Sequence, residues 1–170
     1  MVGVVGLEND QNATWTSVVM PEKGNMVMDK DVKITIETIQ KQQGESNRMK
    51  HAYSGAYFKK GDHSYVLYEE SVENTEAVIK SRLKFSGSFL EVVKKGALSS
   101  TMYFEWGKEY LTEYGTPFGV VPLHIETRFY EMKQTADDRI FIEIRYNLSN
   151  EGGRIADCHM KIVVEQVNIM

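Results

Sequence analysis

Ile140-Phe141-Ile142-Glu143-Ile144-Arg145-Tyr146-Asn147-Leu148 is the stretch on which the fold turns. Ile140, Ile142, Ile144, Tyr146 and Leu148 alternate with Glu143, Arg145 and Asn147 across most of it. Successive side chains of an extended strand point to opposite faces, so a period of two makes one face apolar and the other polar. After Glu151-Gly152-Gly153 the pattern resumes, with Ala156, Cys158, Met160, Ile162 and Val164 sharing a face. Two amphipathic segments joined by a glycine turn form a hairpin.

Working back towards the N-terminus, the same period continues. Val32, Ile34 and Ile36 alternate with Lys33, Thr35 and Glu37, and Met49, His51, Tyr53 and Tyr57 fall on one face of the next segment. Further strands are expected over 65–70, 75–83, 89–93, 98–104, 110–114 and 120–133. Turn signals separate them: Lys59 to Asp62, Ser71 to Asn74, Ser86-Gly87-Ser88, Lys94-Lys95-Gly96, Trp106-Gly107-Lys108 and Gly115-Thr116-Pro117. Gly55, inside a strand pattern, marks a bend or bulge.

About ten strands with little helix must bury their apolar faces against one another. An all-β antiparallel up-and-down meander of 8 to 10 strands, closed into a β-barrel, does this and removes exposed edges; a sandwich is the alternative. Val32, Ile34, Ile36, Leu123, Ile125, Ile142, Ile144, Met160 and Ile162 are expected inside. Bulky inward Tyr53, Tyr68, Met102, Phe104, Phe129 and Tyr146 favour a narrow or plugged lumen.

Composition bounds the rest. The chain has 170 residues, 42% of them hydrophobic and 26% charged, which fits one folded domain and excludes global disorder. One cysteine excludes a disulfide framework. The net charge of −4 comes without a basic stripe, so no nucleic-acid partner is expected. Lys59-Lys60 and Lys94-Lys95 read as solvated turn tips. No apolar run approaches the roughly 20 residues of a membrane span, and the start lacks a signal-peptide pattern, so a cytoplasmic location is expected. Residues 1–30 lack sustained periodicity and read as an N-terminal arm, either loosely attached or an extension. The barrel domain is expected over 31–170 and residues 1–27 are expected to be dispensable. The alternative packs Trp15 and Val18-Val19 on the barrel.

Several strings resemble a known family. They are Tyr65-x-Leu67-Tyr68-x-Glu70, then Thr75 and Ile79-Lys80; Lys95-Gly96 before Ser99-x-x-Met102-x-Phe104; Tyr110-x-Thr112-x-Tyr114-Gly115; and Thr127 with Tyr146-x-Leu148. Their order and spacing over about residues 31–168 are similar to the YwiB-like family of small bacterial proteins of unknown function. The resemblance implies a calycin-type, lipocalin-like β-barrel. Lys94-Lys95 stands where an arginine is expected before Gly96, and the arm has no counterpart. The family supplies no catalytic residues to carry over.

Chemistry is sparse in the sequence. His51, His63, His124 and His159 fall on different strands without ligand spacing, so no metal is expected. Cys158 lies on an inner face, where a thiol is ordinarily inert. No phosphate-cradling loop occurs, and no cofactor is implied. One polar constellation follows from tight turns at Lys59 to Asp62 and Ser71 to Asn74. His51 would then face Glu70, Tyr53 would face Tyr68, and Glu70 would face Thr75, all on the inner face near one barrel mouth. These five are the candidate ligand-binding residues; a mouth-sealing salt bridge is the plainer reading.

Three functions compete. The first is binding of a small, largely apolar ligand in the barrel. The second is a structural or protein-interaction barrel with a filled core, engaging a protein partner or a second copy. The third is a small enzyme using the His51/Glu70 pair, and the absence of catalytic motifs weighs against it.

Overall fold

The computed structural model describes residues 30–167 except Leu98 and Pro117. The predicted N-terminal arm falls almost wholly outside these residues. Ten strands run in chain order: β1 (Lys30–Gln42), β2 (Glu45–Lys60), β3 (His63–Ser71), β4 (Val78–Phe85), β5 (Phe89–Gly96), β6 (Ser100–Glu105), β7 (Glu109–Thr116), β8 (Gly119–Gln134), β9 (Ile140–Asn150) and β10 (Gly153–Gln166). Each pairs antiparallel with its sequence neighbour except β6 with β7, and β1 pairs with β10. The result is an all-β meander in a nearly closed barrel, with β6 and β7 at its seam.

The seam is bridged rather than zipped. Gly115 N donates to Ser99 O at 2.8 Å, and Thr112 Oγ1 donates to Thr101 O at 2.6 Å. The Tyr103 and Tyr110 rings lie 5.7 Å apart. Gly107 N donates to Thr127 O, and Thr127 N to Lys108 O, tying the β6–β7 turn to β8.

Alternation sorts the faces as the sequence predicts. Val32, Ile34, Ile125, Ile142, Ile144, Met160 and Ile162 are buried in one cluster with Val66, Leu83, Phe85, Leu90 and Phe104, and Ile36 packs against it. Leu123 is half-buried, while Lys33 and Arg145 are exposed. Phe129 departs from the expectation. The β8–β9 register shifts between Thr127 and Phe129, and the extra residue, Arg128, turns Phe129 onto the outer face opposite Arg145. Its ring lies against the Trp106 ring and beneath the Arg145 guanidinium.

Gly55 is required by close approach. A Cβ there would lie 2.3 Å from Leu67 O and 2.8 Å from Ile34 Cδ1. Outward-facing residues of β3 to β6 are also buried in places: Leu67, Arg82, Val93 and Thr101 form one transverse row. Beside it, Arg82 and Glu91 make an ion pair with side chains only 4% and 8% exposed.

Candidate functional site

The mouth residues assemble at the barrel end carrying the 72–77 loop, with a different register from the one expected. The β2–β3 hairpin turns on Gly61-Asp62, so Lys60 pairs with His63 and Gly55, not Tyr53, faces Tyr68. The β3–β4 connection is wider than a tight turn, and Glu70 pairs with Ile79, not Thr75. Both shifts are even. Tyr53, Tyr68 and Glu70 therefore keep the inner face while their partners change.

Glu70 is the centre of the cluster. Lys94 Nζ lies 2.7 Å from its Oε2, Ser81 Oγ donates to the same oxygen at 2.9 Å, and Tyr53 Oη donates to Oε1 at 3.3 Å. The Tyr53 and Tyr68 rings stack at 4.7 Å, and the His51 ring lies 6.2 Å beyond Tyr53. Burial works against the Glu70 charge, but the Lys94 ammonium and the Ser81 and Tyr53 hydroxyls outweigh it and hold the carboxyl below its usual value. Burial and the neighbouring Glu70 charge push the Tyr53 phenol up to about 12, so it stays a neutral donor near pH 7.

Two predicted members stand apart. Thr75 is exposed in the loop, where its Oγ1 donates to Val72 O and accepts from Ala77 N. It makes an ordinary hydroxyl turn, which the assumed tight hairpin concealed. His51 is exposed on β2 opposite Ile36, and among the described residues no hydrogen bond joins it to Glu70. Ser81 and Lys94 are the members that sequence reasoning missed. Lys94, which reads as a turn tip in the sequence, lies within β5 on the same face as Leu90 and Val92. Its parity with those residues was the available signal.

A carboxylate that accepts three hydrogen bonds from its own chain is already satisfied. The arrangement ties β2, β3, β4 and β5 together at this end. At the opposite end, the Tyr130 hydroxyl reaches across to the Ser86 and Phe89 carbonyls at 2.7 and 2.8 Å. Between these ends Ile34, Val66, Leu83, Phe85, Leu90, Phe104, Ile125, Ile142, Ile144 and Ile162 are fully buried, contributed by eight strands. A cavity of about 160 Å³ reaches Val32, Ile140 and Val164 at the rim near Lys59 and Gln134. Ligand pockets typically enclose about 300–1,000 Å³.

Elsewhere the molecule exposes apolar side chains. Leu111 and Val120 are each 60% exposed and Val121 40% on the β7–β8 hairpin. A shallow depression of about 590 Å³, lined by Leu111, Pro122, Leu123 and His124, adjoins them. Exposed Glu109, Glu113 and Glu151 surround it. His124 Nε2 lies 3.0 Å from Glu109 Oε1.

The meander with β1 zipped to β10 places the chain among known proteins. The model of the domain of unknown function DUF1934 matches residues 34–162, from within β1 to within β10. The chain belongs to the DUF1934 family. This DUF1934 domain is also similar to a solved structure, the crystal structure of ywiB protein from Bacillus subtilis. The TM-score is 0.74 at 19% identity, over 85% of this chain and 96% of that one. At that identity the likeness shows the fold. Both findings agree with the YwiB-like resemblance in the sequence. No curated protein matches the chain. Among the described residues, no helix is long and apolar enough to cross a membrane.

Proposed function

We propose that this DUF1934 domain is a non-enzymatic interaction barrel that engages a partner protein through the apolar wing of β7 and β8. The filled interior carries this reading. A lipocalin-like carrier of a small apolar ligand needs an enclosed space, and here the axis is occupied by Phe85, Phe104, Leu83 and the isoleucines. Exposed Leu111 and Val120, with exposed Pro122 between them on the outward face of the hairpin, are the kind of apolar surface that marks protein contact; Val121 lies on the opposite face. The acidic surround from Glu109, Glu113 and Glu151 specifies the partner's chemistry: an apolar segment flanked by lysine or arginine. Charge complementarity of this kind raises association rate and excludes acidic competitors.

The test is a titration of the labelled full chain, followed by nuclear magnetic resonance. The probe is a short synthetic peptide with a leucine-rich centre and lysines at both ends. Saturable shifts confined to the outward residues Leu111, Val120 and His124 are expected, with at least a tenfold weaker affinity for Val120→Asp. Equal binding of a peptide with glutamates at its ends, or shifts centred on Tyr53, Tyr68 and Glu70, would contradict the reading.

A further inference from the structure

The bulge that turns Phe129 outward also builds a groove on the outer face of β1, β10, β9 and β8. Register aligns Ile39, His159, Arg145 and Phe129 in one transverse row across these four strands. The groove encloses about 700 Å³, and its lining includes Lys41 and Arg128 beside that row. Trp106 extends it: its ring centroid lies 5.1 Å from that of Phe129, and the residue is 60% exposed. The Arg145 guanidinium sits 5.7 Å from the Phe129 centroid.

The charges here are unevenly committed. Arg145 approaches Glu143, and Arg128 approaches Glu126, at 3.7 Å in both cases, beyond good hydrogen-bond distance. Their side chains are 62% and 59% exposed. The acids in and beside the groove are better occupied: Glu143 is held by His159 Nε2 at 2.7 Å, and the lining Asp157 by Arg154 at 3.1 Å. Two forked guanidiniums and the Lys41 ammonium therefore present donors beside an aromatic pair. Planar guanidinium forks match phosphate oxygens, and aromatic faces accept a planar ring by stacking.

We infer that this groove binds a small anion bearing a planar ring, a phosphate of the nucleoside monophosphate class. The ring stacks on the exposed Trp106, which Phe129 backs, and the phosphate meets Arg128, Arg145 and Lys41. The site is independent of the β7–β8 wing. It also differs from nucleic-acid binding, since a single pocket carries it and the chain is acidic overall.

Calorimetric titration of the full chain with adenosine monophosphate tests this, with adenosine and inorganic phosphate as separate probes. The monophosphate should bind saturably, at least tenfold more tightly than either fragment, and weaken as salt rises. Arg145→Gln and Trp106→Ala should each reduce affinity about tenfold. Both residues are exposed, so the thermal midpoints should hold and separate lost binding from lost folding. Absence of saturable binding overturns the inference. So does equal affinity for inorganic phosphate alone, or unchanged affinity in both variants.

Discussion

Arg82 and Glu91 lie on the outward side of β4 and β5, yet both side chains are nearly inaccessible. Removing one member of a buried pair leaves the other charge uncompensated, at a cost of about 3–5 kcal/mol. Glu91→Gln should show that loss in urea unfolding. The double change Arg82→Met with Glu91→Leu should recover most of it, since apolar pairs of similar volume substitute well. A cost below about 1 kcal/mol for Glu91→Gln, the range of a solvated pair, would contradict the burial. Glu70 gives a pH signature. Its folded pKa lies below the ordinary carboxylate value, so its contribution is present above the unfolded pKa of about 4.3 and is lost as pH falls through the folded pKa. Glu70→Gln should therefore flatten the acid limb of thermal midpoint against pH. An unchanged or steeper limb would contradict the sign.

At the scale of strands, Gly55 is the sharpest constraint. A Cβ would meet Leu67 O at 2.3 Å, and backbone cannot step aside as a flexible side chain can. Gly55→Val should destabilise by about 1–3 kcal/mol or more through overpacking, measured by chemical unfolding. A neutral result would mean that β2 and β3 are further apart than described. Registers show what was legible in the sequence. Ile140 to Leu148 and Ala156 to Val164 declared their faces because every second residue is apolar and the turn between them contains Gly152-Gly153. Face parity also survived the even shifts at both ends of β3, so Tyr53, Tyr68 and Glu70 were assigned correctly to the interior. Their partners were not, because the β2–β3 turn is centred one residue later, on Gly61-Asp62, and the 72–77 loop is wider than the turn residues suggested. Phe129 was lost for another reason. One inserted residue at Arg128 flips everything between it and the next compensation, and no glycine or proline announced it.

The whole molecule is a meander whose two ends meet as β1 and β10 and whose middle, between β6 and β7, is held by side chains and a few backbone bonds. The period of two is strongest in β9 and β10 because both are paired on either side and turn one face wholly into the core. The central claim is that this core is complete and that the protein acts through its surface. Native mass spectrometry of the full chain, purified with a wash at about 1 M salt, tests it most directly. At that ionic strength the screening length is about 3 Å, so a ligand held by exposed charges in the outer groove is removed while an apolar guest in the lumen is retained. The account predicts a species at the mass of the bare 19.5 kDa chain, or an integral multiple of it. A retained small apolar molecule in a constant ratio to the protein would contradict it.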